Sequence, residues 1–201
     1  MKTTTQEQAS SLSEYDFRVL VDTSGSMATA DTPNGMTRLK YAAETAKMIS
    51  SAVAVFDSDG IDIIFFGAKV DVLKGVGPES IDKAFSRMPS GSTPTARALS
   101  EAFKLGKASG KKSFNVVFTD GEPDNKAEVK AVIEAQSNSQ NTDEECTILF
   151  LQVGKDAGAT AFLTQLDDDL AGKFDIVDSM HIDDVGDYVC IEDLIMKAIN
   201  D

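Results

Sequence analysis

Apolar residues in this chain fall into runs and stripes whose period alternates between strand and helix. Asp16 to Val21 is a short apolar run suited to a strand covered on both faces of a sheet. Beyond a polar loop with Asp31, Pro33, Asn34 and Gly35, a helix begins near Arg38. Its buried face is Leu39, Ala42, Ala43, Ala46, Ile49, Val53 and Phe56, at helical spacing. Asp57-Ser58-Asp59-Gly60 signals a turn, and Ile61 to Phe66 is a second apolar strand. Gly67 and Ala68 leave room for a tight connection to Val70–Leu73, which predicts an antiparallel hairpin. A short helix is expected over Ser80–Met88, stopped by Pro89. Pro94, a favourable first helical residue, then opens a helix to about Ala108 that buries Ala98, Leu99, Ala102, Phe103 and Leu105.

The rest of the chain repeats the alternation. Phe114–Phe118 reads as a strand and Lys126 to about Gln136 as a helix. Thr147–Val153 is a strand, Thr160–Leu170 a helix, Phe174–Val177 a strand and Ile191–Ile199 a final helix. Such alternation implies an α/β domain around a mostly parallel sheet, with no internal repeat and no second domain. Residues 1 to 13, rich in Thr, Gln and Ser, read as a disordered leader, leaving 14–201 as the domain.

Composition narrows the function classes. At 201 residues one domain with a substantial core is expected. The formal net charge of −14 argues against nucleic acid and anionic membrane as partners, because neutralising phosphates needs clustered Lys and Arg. Cys146 and Cys190 are too few for a disulfide framework and read as small buried residues. The leader lacks an apolar core of the signal-peptide kind, and no apolar stretch is long enough to span a bilayer, so a cytoplasmic setting is expected.

The chemistry concentrates in three polar segments. Asp22-Thr-Ser-Gly-Ser26 follows the first strand, and Thr119-Asp120-Gly121-Glu122-Pro123 ends the Phe114–Phe118 strand. Both carboxylates therefore sit at strand C-terminal ends, where ligands bind in open α/β sheets. Gly91-Ser92-Thr93-Pro94-Thr95 adds hydroxyls at a loop-to-helix junction. An all-oxygen group of this kind suits a hard cation such as Mg²⁺, which takes octahedral oxygen ligands at about 2.0–2.1 Å. Glu122, Asp124 and Asp31 read as solvated loop acids, and Asp167-Asp168-Asp169 as a solvated turn without the ligand spacing of a calcium loop. His181, with no nucleophile nearby in sequence, reads as a surface or loop residue.

Taken together and in order, Asp22-Thr-Ser-Gly-Ser26, Gly91-Ser-Thr93 and Thr119-Asp120-Gly121 resemble the metal-ion-dependent adhesion site of von Willebrand factor type A (VWA) domains of the bacterial or intracellular type. The resemblance extends from about Tyr15 to Asn200. It implies a doubly wound, Rossmann-like three-layer sandwich with a six-stranded sheet in the order 3-2-1-4-5-6 and one antiparallel edge strand. The site would lie above strands 1 and 4. By the resemblance, Ser24, Ser26 and Thr93 would ligate Mg²⁺, with Mn²⁺ or Ca²⁺ as alternatives, and Asp22 and Asp120 would act directly or through water. Ser92 or Thr95 could stand in for Thr93, which could also simply cap the helix. The implied function is protein recognition without catalysis, a partner's Asp or Glu carboxylate completing the metal shell.

Two other readings follow from the same segments. One is a scaffold subunit of an ATPase or stress-response complex. The other is a Mg²⁺-dependent phosphotransferase with Asp22 as nucleophile, which would need an acid/base two residues later, where Ser24 stands.

Overall fold

The structure, a computed structural model, describes residues 11–57 and 59–200. Six strands form one sheet: β1 (Tyr15–Asp22), β2 (Ile61–Phe66), β3 (Val70–Val76), β4 (Lys112–Thr119), β5 (Cys146–Gln152) and β6 (Val177–His181). Their spatial order is β3-β2-β1-β4-β5-β6, with β2–β3 antiparallel and every other pair parallel. The helices are α1 (Arg38–Val53), α2 (Ile81–Ala84), α3 (Thr95–Ser109), α4 (Lys126–Ser139), α5 (Ala157–Asp168) and α6 (Ile191–Ile199).

Period-2 alternation in the strands sorts their side chains into two cores. Phe17, Val19 and Val21 of β1 and Phe114, Val116 and Phe118 of β4 join Leu39, Ala42, Ala46 and Ile49 of α1 and Leu194 and Ile195 of α6 on one face. Leu20, Val117, Ile148 and Phe150 meet α3, α4 and α5 on the other through Leu99, Ile133 and Phe162. Helices on both faces of the sheet give the three-layer α/β sandwich expected from the sequence. Among the described residues, no helix is long and apolar enough to cross a membrane.

Where elements differ from the sequence reading, local bonding explains it. The last strand covers Val177–His181, not Phe174–Val177. It lies at the sheet edge, so its polar alternation is tolerated, and Asp178 on it is held by Lys197 Nζ at 2.7 Å. Phe174 instead exchanges backbone hydrogen bonds with the Ser137 hydroxyl. The short helix shrinks to α2 after a 3₁₀ turn at Pro78–Ser80. Past α2, the Arg87 guanidinium lies over the Phe65 ring and pairs with Asp71, drawing the chain out of helical geometry. Helix α5 starts at Ala157 because Asp156 caps it, its carboxylate accepting from the Ala159 N–H at 2.7 Å. Pro94 is the residue before α3, not its first.

The leader expected over residues 1–13 lies, through residue 10, outside the described residues. Leu12 at its end is fully buried in the first core, so packing begins ahead of Glu14. Cys146 is buried, and Cys190 is half-buried just ahead of α6. Asp167 is half-buried, its carboxylate accepting from both the backbone and the hydroxyl of Ser179, unlike a solvated turn acid.

Asp57 sets a pH response of the fold. It is 3% exposed, and one oxygen accepts from the Phe17 N–H at 3.3 Å. Burial pushes its carboxyl up to about 6, with Asp59 adding to the rise and Lys111 opposing it. A carboxyl with a raised folded-state pKa binds its proton more tightly when folded, so this group's contribution to stability falls as pH rises from about 4 to 6 and stays low above. Asp57→Asn keeps the acceptor for Phe17 and removes the charge. The variant is expected to melt a few degrees above wild type at pH 7.5 and level with it near pH 4, read by thermal denaturation in EDTA. A lower melting temperature at pH 7.5 would count against this assignment.

Candidate metal centre

Asp22 and Thr119 end the neighbouring parallel strands β1 and β4, and Asp120 follows directly. From β1 the sheet extends through β2 to β3, and from β4 through β5 to β6. The site therefore lies at the switch in strand order, where flanking connections diverge and open a crevice.

The loop after β1 folds back on itself. Asp22 Oδ1 accepts the Ser24 N–H at 2.7 Å, and Asp22 Oδ2 accepts the Thr119 hydroxyl at 3.0 Å. Both carboxylate oxygens are thus aimed, and Asp22 is fully buried. Ser24 Oγ lies 3.0 Å from Ser26 Oγ, and the Ser26 hydroxyl donates to Asp120 Oδ1 at 2.8 Å. The second Asp120 oxygen accepts from Arg38 Nη1 at 2.8 Å. Thr119 belongs to the Thr119-Asp120-Gly121 segment but had no role assigned from sequence, and Arg38 carries no motif signal. Their contacts span 97 and 82 positions of sequence, so pattern reading had no access to them.

A second loop braces the first. The Ser90 N–H donates to the Thr23 carbonyl at 2.6 Å, and the Ala68 N–H donates to the Ser90 carbonyl. Gly91 has φ +90°, and a Cβ there would collide with the backbone of Ala68, so glycine is required for this approach. Asp124 accepts from the Ser92 hydroxyl at 2.7 Å and from the Thr93 N–H at 2.9 Å, fastening this loop to the one that follows β4. Asp124 is exposed, as the solvated loop acid read from sequence would be, and it also bridges the two loops. Asp31 likewise forms a two-pronged pair with Arg38, at 2.9 and 2.6 Å.

The structure joins Asp22, Ser24, Ser26 and Asp120 through one hydrogen-bond network that includes Thr119. Thr93 is nearby in the chain path but lines a separate cleft of about 350 Å³ with Gly67, Gly91 and Asp124. Among the described residues its hydroxyl makes no hydrogen bond to the other four. Of its alternatives, Ser92 is engaged with Asp124, and the Thr95 hydroxyl donates to the Thr93 carbonyl at 3.4 Å. His181, half-buried at the end of β6, bonds through Nε2 to the Gly154 carbonyl, while its Nδ1 accepts the Asp183 N–H.

The donor set fits a small hard cation. Cis ligands of an octahedral ion at about 2.0–2.1 Å lie about 2.9 Å apart. The Ser24–Ser26 and Ser26–Asp120 hydrogen bonds, at 3.0 and 2.8 Å, hold these oxygens at separations such an ion could span without rearrangement, although hydrogen bonds have these lengths with or without a metal. Charge points the same way. Burial pushes the Asp22 carboxyl up to about 6, the Ser24 and Thr119 hydrogen bonds oppose the rise, and the Asp120 charge adds to it. Arg38 balances Asp120, but among the described residues no cationic side chain pairs with Asp22. No group of three or more His, Cys, Asp or Glu able to hold a metal occurs among the described residues, so hydroxyls would have to carry much of the coordination. Beside the network opens a cleft of about 760 Å³ whose lining includes Ser26, Arg38, Asp120 and Lys155.

No protein-family profile matches the sequence, and comparison with curated proteins finds no significant match. Solved structures do match. The pilus adhesin SpaC from Lactobacillus rhamnosus GG superposes with a TM-score of 0.63 at 16% identity, over 92% of this chain but 30% of that one. Manganese-loaded TRAP protein from Plasmodium vivax superposes with a TM-score of 0.60 at 17% identity, over 87% of this chain and 71% of that one. At these identities the likeness concerns architecture: strand order, the single antiparallel strand and the flanking helices. The chain has the von Willebrand factor type A fold.

Proposed function

We propose that this domain recognises partner proteins through a divalent cation, Mg²⁺ or Mn²⁺, held by Asp22, Ser24, Ser26 and Asp120 with Thr93 on the adjoining loop. The observation that carries the reading is the convergence of two serine hydroxyls and two buried carboxylates, drawn from separate loops, in one network at the sheet's switch point. Neutral hydroxyl ligands leave the bound cation electrophilic, so it attracts an external anion. A partner's Asp or Glu side chain supplies that anion, entering by the cleft beside the network, which Arg38 and Lys155 line together with Asp31, Glu122 and Asp156. Asp22 contributes charge from within the protein, fixed by Ser24 and Thr119. The description of TRAP as manganese-loaded and of SpaC as an adhesin is consistent with this reading. It requires no acid or base at Ser24 and no turnover.

The test is affinity capture from native lysate with the wild-type chain in Mg²⁺. Partners are expected to be retained in Mg²⁺, released by EDTA and absent with Ser24→Ala. A capture profile that neither EDTA nor Ser24→Ala alters would refute the proposal.

A further inference from the structure

Arg38 occupies an unusual place beside the candidate centre. Its guanidinium is fixed from three directions. Nε and Nη2 pair with the two Asp31 oxygens at 2.9 and 2.6 Å, and Nη1 donates to Asp120 Oδ2 at 2.8 Å. The third restraint is Gly154, at φ +81°, where a Cβ would come within 2.7 Å of Nε, so the fork lies against bare backbone. The Arg38 side chain is 14% exposed and the Asp120 side chain 0%. A planar, permanently charged fork held this way is a rigid part of the site, which a flexible surface lysine would not be.

The consequence falls on Asp120. With Oδ2 engaged by Arg38, only Oδ1 faces Ser26. Mg²⁺ and Ca²⁺ respond differently to that restriction. Mg²⁺ demands near-octahedral geometry, and the two oxygens of a single carboxylate are too close together to span an edge of that octahedron. Ca²⁺ takes 6–8 oxygens at about 2.3–2.6 Å and readily accepts a carboxylate through both oxygens. We infer that Arg38 is a positioning residue that sets metal selectivity: by occupying Asp120 Oδ2 it keeps Asp120 a one-oxygen ligand and disfavours Ca²⁺. This rests on the metal-dependent reading proposed above. Asp31, read in sequence as a solvated loop acid, becomes the anchor that orients the guanidinium.

Selectivity separates this role from simple electrostatics. Removing the positive charge of Arg38 strengthens attraction for every divalent cation, so either affinity alone is ambiguous. The ratio of the two affinities cancels that shared effect. The test is calorimetric titration of the full chain with Mg²⁺ and separately with Ca²⁺, for wild type, Arg38→Met, Arg38→Lys and Asp31→Asn. Arg38→Met is expected to cut the preference for Mg²⁺ over Ca²⁺ by about tenfold, the lower end of what outer-shell partners of metal ligands contribute. Arg38→Lys, which keeps a charged donor for Oδ2 but not the fork that Asp31 holds, is expected to shift the ratio by less than Arg38→Met. Asp31→Asn leaves Arg38 in place but loosens it, and shifts the ratio in the same direction by less, which keeps the inference testable should Arg38→Met fail to fold. An unchanged ratio in both Arg38→Met and Asp31→Asn, with both ions still binding, overturns the selectivity role and leaves the metal site standing. No binding of either ion by the wild type overturns both.

Discussion

Asp120→Ala is expected to abolish stabilisation by Mg²⁺ and Mn²⁺ while leaving the fold intact. A cation at a hundredfold excess over its Kd stabilises the wild type by about 3 kcal/mol, because only the folded chain assembles oxygens from separate loops. For a domain of this size that corresponds to about 5–10 °C in Tm. Removing Asp120 takes away one of two buried carboxylates in the set and the acceptor that orients the Ser26 hydroxyl. Breaking a buried ion pair ordinarily costs the fold heavily, since the surviving charge is stranded. Here Arg38 keeps its two-pronged bond to Asp31, so its charge stays paired. Loss of the Asp120 charge also relieves repulsion on Asp22. In EDTA the variant should therefore melt within a few degrees of wild type, and adding Mg²⁺ should move it no further. A metal-induced shift of wild-type size in Asp120→Ala would exclude Asp120 from the centre.

Phe114→Ala is expected to produce the largest loss of stability, with no change in the site. Phe114 is fully buried in β4, and its ring lies 6.0 Å from that of Phe17 on the adjacent strand. Truncating a buried Phe to Ala removes the transfer free energy and leaves a cavity that a sheet held on both sides cannot collapse, at a cost of about 3–5 kcal/mol. Against the total of about 5–15 kcal/mol typical of a domain, that is a large share. The residue lies near the start of its strand, whereas Asp120 follows the end of the same strand. Denaturant midpoints should therefore fall sharply, while metal affinity of the folded molecules stays that of the wild type. A midpoint within error of wild type would show that this core tolerates the cavity.

The fold was legible in the sequence because its central strands are covered on both faces. Runs such as Phe17–Val21 and Phe114–Phe118 have few other places to go, and the apolar stripe beginning at Leu39 has one helical period. The edge was less legible. Strand β6 needs apolar contact from only some of its residues, so Val177-Asp-Ser-Met-His carries a weak signal, and the more apolar Phe174 drew the strand assignment upstream.

In the site, Asp22, Ser24, Ser26 and Asp120 were readable because each sits within a few residues of a strand end. Their supports were not. Thr119 reads as part of the motif segment without a role of its own, Arg38 as the start of a helix, and Asp31 and Asp124 as loop acids. The contacts of Thr119, Arg38 and Asp124 with the site exist only once the chain brings together positions 31 to 97 residues apart, and Asp31 matters because it holds Arg38, 7 residues on. Thr93 stands between these cases. Its loop is held at the site's edge by Asp124 and Thr23, but its hydroxyl faces no partner among the described residues.

Water-proton relaxation with Mn²⁺ as the probe bears most directly on a cation held by hydroxyls with a position left for a partner's acid. One Mn²⁺ per wild-type chain is expected, carrying exchangeable water that a short Asp-containing peptide displaces and its Asn counterpart does not. Wild-type protein that binds no Mn²⁺ at millimolar concentration, or bound Mn²⁺ whose water the acidic peptide leaves untouched, would contradict it.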